Sequence, residues 1–500
     1  MQIGRKEIFT DAKEINATNI IKILQDAVAI HEQNRAKIEF LLNYDAGQQP
    51  ISRTKTYRSD IDCECVDNVA NEITEFNLGF KWAFPITLVQ RGQDEGKSKS
   101  ISLLNDHYET QNIKSKTQKL GRFVEICGLG YTFVDVAPSD SISPFTIEAL
   151  DPRYAFVVRS SYYIDQRIML GVVYRQDGEG NRYFTCYTDK KRFEIKNIYE
   201  VMNGEERKKE TWEEADRSGE TNPLGYIPII EWFRSHDRMG CFERQISEMD
   251  NLNLLISDFT NDVEQNTQAI WHTNDIDFPT ETTKDKDGNE TVQVKRPKSN
   301  DWMQTYTSQE GKTPFVKPLS IEYDYAGMLN NIITRRSLIL QKCNVPQRND
   351  NSGGSTGIAM SDATGWSAAE SSASKQQNIT ECCKMEEVKV VLKAIQLSKG
   401  FDDLKSLNAM DIQPSIKRQK NYELTTKVNF FATAVSHGIN GLHALKVMNA
   451  FEDVNQVWED SRELIEKYQS SIFDKQETQV KDRLEADYSD QTENSPMLNG

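Results

Sequence analysis

Residues 242–270, FERQISEMDNLNLLISDFTNDVEQNTQAI, decide how the chain is read. Phe242, Ile246, Met249, Leu252, Ile256, Phe259 and Val263 recur at steps of three and four, the spacing of one helical face. At 1.5 Å per residue such a helix extends roughly 43 Å. Its other side carries Asp250, Asn253, Asp258, Asn261, Asp262, Gln265 and Asn266, which is too polar for a globular core. In an oligomer that side is expected to line a solvent channel.

Beyond the helix the pattern breaks over residues 272–320, a β-rich insert of about 50 residues. Asp287-Gly288 within it is a strong hairpin signal and turns ETTK back onto ETVQVK. Helical periodicity resumes at about Ile321 with Tyr325, Met328, Leu329, Ile332, Ile333 and Leu340. Two helices therefore flank the insert as antiparallel neighbours, a hairpin with a cap at its tip. Next comes QRNDNSGGSTGIAMS inside the polar loop 345–361, and then a long helix over about 362–398 that buries Val388, Val391, Leu392 and Ile395.

Upstream the chain reads as α+β. A helix from about Asn19 to Leu42 has Thr18 as N-cap, a second spans Asp62 to Phe76, and a third spans Ile113 to Cys127 before a strand Tyr131 to Val136. The runs FTIEAL, YAFVVRS, RIMLGVVYRQ, RYFTCYTD and KRFEIKN read as strands, with a hairpin at Gly178, Gly180 and Asn181. Residues 203–221 read as a charged loop, and YIPIIEWF as the strand before the long helix. Short helices follow at about 424–436, 441–450 and 453–469, and the acidic tail 471–500 lacks an apolar face and is expected to be disordered.

Composition narrows the function. Across 500 residues, 60 Lys+Arg against 76 Asp+Glu give a formal charge of −16, so tight general binding to nucleic acid or an anionic membrane is not expected. Apolar windows such as 145–158 and 424–435 stop short of the roughly 20 residues that cross a bilayer, so no membrane partner is expected. The N-terminus MQIGRKEIFTDAKE has no apolar signal core, so export is not expected either. Eight cysteines are too sparse for a disulfide scaffold and fit a reducing cytoplasm. Cys63 and Cys65 lie too close for a zinc knuckle, so neither metal nor cofactor is expected.

Three motifs imitate chemistry. GQDEGKS at 92–98 is one residue short of a phosphate-binding loop, and KSKSISL after it does not read as a helix, so a charged hairpin tip is expected. KDKDGNE at 284–290 places its glycine fourth after Asp285, where a calcium loop needs it sixth. GGSTG at 353–357 matches GxSxG, and Asp402 or Asp411 followed by His437 or His443 supplies a hydrolase order. That serine-hydrolase alternative, with Ser355 as nucleophile, requires a buried strand ending at the serine; the residues before it have helical periodicity and then a polar loop.

This order of elements resembles the portal, or head-to-tail connector, proteins of tailed double-stranded DNA bacteriophages, especially long-tailed phages of Gram-positive hosts. The turn Tyr44 to Ile51, Arg53, then Asp67, Asn68, Ala70 and Ile73 resemble the N-terminal signature of that family. Gly225, Ile227, Pro228 and Ile229 resemble its strand before the first stem helix, on which Asp250, Asn253, Ser257 and Asn261 take family-like positions. Ser355, Gly357 and Ala359 resemble the opening of the helix after the tunnel loop. Trp82-Ala83-Phe84-Pro85 departs from the family in lacking a glycine before the proline.

The resemblance implies a predominantly helical α+β portal-type fold. Residues 1–240 would form a wing, 241–271 and 321–344 the stem helices, 272–320 the clip and 345–361 the tunnel loop. Residues 362–400 would be a long wing helix and 401–470 the wing end and helical crown. It further implies a homo-oligomeric ring of twelve subunits at one capsid vertex of the virion, assembled in the host cytoplasm and not an enzyme. Double-stranded DNA would pass through its channel without sequence-specific contacts. The implied partners are the terminase large subunit, a head-completion or tail adaptor protein, and the major capsid and scaffolding proteins. Twelve copies carry 12 × (−16) = −192 formal charges, and a predominantly acidic wall repels phosphate.

The candidate channel residues are Arg348, Asn349, Asn351, Ser352, Gly353, Gly354, Ser355 and Thr356; only Arg348 among them is basic. The candidate docking residues of the clip are Lys284, Lys286, Lys295, Arg296, Lys298 and Trp302, with Trp302 and Phe315 alternatively forming a small core of the insert. A non-annular helical scaffold or adaptor protein is the other structural reading.

Overall fold

The computed structural model describes residues 4–52, 61–92, 95–201, 208–215, 218–267, 270–274, 280–284, 290–294, 315–319, 324–347, 365–418, 424–448, 454, 457–458, 460–468 and 470–471. The chain divides into two compact units, Met1–Arg418 and Gln419–Gly500. In the first, chain order begins β1 (Phe9–Thr10), α1 (Ile20–Asp45), α2 (Val69–Lys81), β2 (Thr87–Gln90), α3 (Glu95–Thr110), α4 (Ile113–Cys127), β3 (Leu129–Val136) and β4 (Phe145–Leu150). It continues β5 (Ala155–Ser160), β6 (Ile168–Gln176), β7 (Arg182–Tyr187), β8 (Lys191–Val201), β9 (Lys208–Glu214), β10 (Glu220–Thr221), β11 (Ile229–Phe233) and α5 (Ile246–Thr267). The insert holds β12 (Ile270–Asn274), β13 (Thr280–Lys284), β14 (Glu290–Val294) and β15 (Phe315–Leu319). Then follow α6 (Tyr325–Lys342), α7 (Trp366–Leu397), α8 (Asp402–Lys405) and β16 (Ile412–Ser415). The fold is mixed α+β, as expected.

A seven-stranded sheet runs β1-β5-β6-β7-β8-β10, with β9 also on β8. One face of it takes Ile20, Leu24, Ala27 and Val28 of α1 against Phe156, Val158, Leu170, Val172, Phe184 and Phe193. Each fully buried side chain of that size contributes about 1.5–3 kcal/mol. The second half of α1 belongs to another core: Ile38, Leu41 and Tyr44 pack with Val69, Ala70 and Ile73 of α2, Met249 and Leu252 of α5, and Ile339 and Leu340 of α6. A third core joins α3, α4 and β4 to Val388, Val391, Leu392 and Ile395 of α7, the four residues expected to be buried there. The three-stranded sheet β11-β3-β4 borders both of these cores.

Backbone geometry fixes the join between α4 and β3. Gly128 ends α4 at φ +76, and a Cβ there would meet the Arg238 carbonyl oxygen at 2.4 Å, so side chain and conformation both require glycine.

Several local expectations are corrected. The N-cap of α1 is Asn19, not Thr18, and it makes no side-chain capping bond. The second helix begins at Val69 rather than Asp62, because Asn68 caps it by accepting the Asn71 backbone N–H and the preceding residues are held extended elsewhere. KSKSISL lies inside α3: Ile101, Leu104 and Tyr108 at steps of three and four bury one face, and Lys97 pairs with Asp411 at 2.8 Å. Part of the charged stretch 203–221 is strand, since β9 pairs along β8 with Trp212 stacked on Phe184 at 5.4 Å.

The second unit contains α9 (Leu424–Ser436) and α10 (Gly441–Met448), then helical residues over 460–468. Ala434, Val435 and Ala444 form its small core with Phe431 and Ile465.

Candidate functional site

The helix–insert–helix element has the expected form where it is described. Helix α5 leads into β12, which pairs antiparallel with β15 from Ile270 opposite Leu319 to Asn274 opposite Phe315. Further along, β13 pairs with β14 and ends with Lys284 opposite Glu290, so ETTK does turn back onto ETVQV. Phe315 meets the His272 ring edge-on at 5.1 Å. Asp324 caps α6 by accepting the Gly327 N–H at 2.9 Å. The two helices touch near the insert through the Phe259–Tyr325 edge contact, with centroids 5.9 Å apart, and through a bond from the Asn266 amide to the Tyr325 hydroxyl.

The polar side of α5 does not line a solvent space at its centre. Asn253, Ser257 and Asn261 are buried and hold an extended strap, residues 61–68, by its backbone. Asn253 Oδ1 accepts the Asp67 N–H at 2.9 Å, Ser257 Oγ the Cys65 N–H at 2.9 Å, and Asn261 Oδ1 the Cys63 N–H at 2.8 Å. Asn261 Nδ2 also donates to the Cys63 carbonyl at 3.0 Å. The spacing follows from two periodicities: four helical residues advance about 6.0 Å and two extended residues about 6.6 Å, so every fourth helical side chain meets every second strap residue. Among the described residues no strand pairs with this segment, and amide and hydroxyl side chains satisfy its backbone at these three positions.

The end of the strap that leads into α2 is fastened further. Asn253 Nδ2 donates to Gln49 Oε1 at 2.6 Å, and Gln49 Nε2 donates to Asn68 Oδ1 at 2.9 Å. Tyr44 donates its hydroxyl to Asp250 at 2.8 Å. Arg336 of α6 reaches Asp67 at 2.9 Å and also bonds Glu72 of α2. Residues Tyr44, Asp67, Asn68, Asp250, Asn253, Ser257 and Asn261, singled out in the sequence at two distant places, therefore meet in one joint that ties α5 and α6 to α1 and α2.

Charge does the equivalent work deeper in the unit. Glu125 of α4 is fully buried and accepts from Trp82 Nε1 at 3.0 Å, Gln376 Nε2 at 2.7 Å and Arg234 Nε at 3.0 Å, with Lys81 at 3.6 Å. Its two cationic neighbours and its donors outweigh burial and hold the carboxyl down at about 2. For Lys81 burial wins, and the ammonium is pulled down to about 8. A second such carboxylate, Glu231, is held at about 2 against its burial by Arg238 and Arg159, at 2.8 and 2.6 Å. Through Gln376 the Glu125 centre fastens α7. Sequence reasoning missed both centres, and the signal was thin: a lone glutamate inside the apolar run of α4 and another inside IIEWF.

A family profile described as phage portal protein, SPP1 Gp6-like, matches residues 29–475 of this chain. The chain belongs to this family of phage portal proteins. No curated protein matches it significantly. Among solved structures it is similar to one described as the neck of an empty GTA particle computed with C6 symmetry, at 11% identity and a TM-score of 0.42. That likeness covers 76% of this chain and 90% of the other.

Of the residues expected to carry this portal protein's function, Lys284 is the last residue of β13. Lys286, Lys295, Arg296, Lys298 and Trp302 lie outside the described residues, as do Arg348, Asn349, Asn351, Ser352, Gly353, Gly354, Ser355 and Thr356. The residues immediately before Ser355, where the hydrolase alternative requires a strand, lie outside the described residues; the nearest described element upstream is the helix Tyr325–Lys342. The candidate acids of that alternative are engaged, Asp402 with Lys405 and Asp411 with Lys97, each at 2.8 Å. Among the described residues no cluster of three or more His, Cys, Asp or Glu could hold a metal ion, and no helix is long and apolar enough to cross a membrane.

Proposed function

We propose that this portal protein assembles as a ring, twelve subunits in the virion, at one capsid vertex and conducts double-stranded DNA inward during packaging and outward during ejection. The observation that carries this reading is the helix pair α5/α6. It brackets a strand-containing insert at one end and is fastened at the other to α1 and α2 by the strap joint, and it lies in a chain matched to the portal family over residues 29–475. On this reading residues 1–240 form the wing, α5 and α6 the stem, 272–320 the clip, 345–361 the tunnel loop, and the helices of the second unit the crown. The acidic balance of −16 per chain favours a wall that does not grip phosphate, consistent with a conduit. The chain's role is structural and without catalysis.

The loop residues Arg348, Asn349, Asn351, Ser352, Gly353, Gly354, Ser355 and Thr356 face the channel. Lys284, Lys286, Lys295, Arg296, Lys298 and Trp302 of the insert dock the terminase motor and later the head-completion or tail adaptor. Negative-stain electron microscopy of the purified full-length chain tests the reading. Closed rings with a hole of about 20 Å or more, the width a duplex needs, support it. Open-ended or compact small assemblies, persisting when capsid and scaffolding proteins are supplied, overturn it in favour of a non-annular scaffold.

A further inference from the structure

Two features of the seven-stranded sheet have no use inside the single chain. The first is the tip between β5 and β6. Tyr162, Tyr163 and Ile164 follow one another there at 63%, 89% and 82% exposure, and a monomer seldom leaves so much adjacent apolar surface in water. The tip is nevertheless a built turn. The Asp165 N–H donates to the Tyr162 carbonyl at 3.0 Å, Arg159 to the Gln166 carbonyl at 3.2 Å, and the Ser161 hydroxyl to Asp11. Asp165 lies beside Arg167 at 3.4 Å, with both side chains more than half exposed.

The second is a hollow of about 520 Å³ on the same sheet. Strand register lays its floor in two rows, Arg175–Tyr183–Lys196 and Val173–Thr185–Glu194. These side chains point away from α1, because Tyr174, Phe184 and Ile195 alternate with them and are buried in the core beneath. Arg175 lies over the Tyr183 ring at 4.6 Å, and neither it nor the exposed Lys196 has an ion-pair partner among the described residues. Glu213 stands opposite Lys196 on β9 without bonding to it, and Glu194 is neutralised by Arg192 at 2.5 Å. An aromatic floor with two uncompensated cations suits an occupant that is aromatic, aliphatic and acidic.

We propose that the occupant is the tip of a second copy of the chain: Tyr162, Tyr163 and Ile164 of one subunit seat in the hollow of the next, and Asp165 meets Arg175 and Lys196. The tip supplies the three chemistries the hollow calls for within four consecutive residues. A subunit cannot fill its own hollow. Strand β6 starts at Ile168 beside the tip and reaches the hollow at Arg175, and seven residues at about 3.3 Å each hold the two about 23 Å apart. A contact between two different surfaces is head-to-tail, the kind that closes a ring rather than a two-fold dimer. It rests on the ring reading above and adds a contact made within residues 1–240 alone. The apolar side chains supply contact area, and the charges fix which way round the tip enters.

Cross-linking in the full-length chain tests the contact. Tyr163→Cys and Thr185→Cys are made separately and together, oxidised with copper-phenanthroline after assembly and run on a non-reducing denaturing gel, with the wild type as the control for the exposed native Cys382. The two single variants assembled together should give cross-linked dimers, and the double variant a ladder of higher multimers. Tyr163→Ser with Ile164→Ser should raise the protein concentration needed for assembly, followed by sedimentation velocity, by about tenfold or more. Arg175→Glu with Lys196→Glu should act in the same direction. Should the double cysteine variant not fold, Tyr163→Ser/Ile164→Ser decides, since those side chains are exposed on the single chain and only a neighbour would notice their loss. A wild type that stays monomeric with capsid and scaffolding proteins present overturns the ring and this contact together. Rings that form without a tip-to-hollow cross-link, and at the same protein concentration in wild type and both surface variants, overturn the contact alone.

Discussion

Two buried polar assemblies hold this portal protein together in opposite ways. At Glu125, one carboxylate gathers two cations, an indole and an amide, so four elements converge on a single charged point. At the strap, three uncharged side chains of α5 meet the backbone of residues 63–67, and Asn253 also donates to Gln49. The charged centre depends on the identity of every partner. The three rungs depend on the identity of Asn253, Ser257 and Asn261 and meet the strap at its backbone. A charge cluster fixes a point, whereas a row of amides fixes a line and a register.

The largest expected effect breaks the first assembly. Glu125→Gln removes the counter-charge of Arg234 and Lys81 inside the core and should cost on the order of 3–5 kcal/mol in urea unfolding. A loss below about 1 kcal/mol would mean that water reaches the site.

Next comes acid. Glu125 and Glu231 titrate at about 2 in the fold against an ordinary 4.5, so the unfolded chain binds protons first as pH falls. Their stabilisation is complete above about pH 4.5 and is lost towards pH 2, by roughly 3 kcal/mol for each. His31, buried against Phe156 and held near 4 from an ordinary 6.5, acts earlier in the same direction: it stays neutral in the fold while the unfolded chain protonates, so stability declines from pH 6.5 to 4. A stability flat from pH 6.5 to 3 would contradict both. The strap rungs have no titratable group and should loosen only with global unfolding.

Smaller effects sharpen the second assembly. Asn261→Ala removes the hydrogen bonds to the Cys63 N–H and carbonyl and should cost about 1–3 kcal/mol, with Asn253→Ala similar. Cys63→Ser and Cys65→Ser change only the held side chains and should fall within about 0.5 kcal/mol. Equal losses for rung and strap variants would remove the distinction.

Much of the fold was legible because apolar spacing carried it: α5, α6, α7 and the strands of the large sheet are where periodicity puts them. The joint was half legible. Its residues were picked out by resemblance, yet the polar side of α5 read as solvent-facing, because asparagine and serine at every fourth position look alike whether they meet water or a backbone. The strap itself read as the start of α2, since Val66, Val69 and Ile73 recur at steps of three and four and nothing local shows that distant side chains hold residues 61–68. Strand β9 was hidden by the charged run Lys208, Lys209 and Glu210, which an edge strand tolerates, although Trp212 stacks on Phe184. The Glu125 centre draws its partners from positions 81, 82, 234 and 376, a separation that no local pattern spans.

The account's central claim is that α5 holds the strap through its backbone. Amide hydrogen exchange at Cys63, Cys65 and Asp67 tests it most directly. All three N–H groups should be strongly protected in the folded chain, although they pair with no strand among the described residues, and Asn261→Ala should release Cys63 while Asp67 stays protected. Exchange of all three at the rate of an unfolded peptide, in a chain whose α5 amides remain protected, would contradict it.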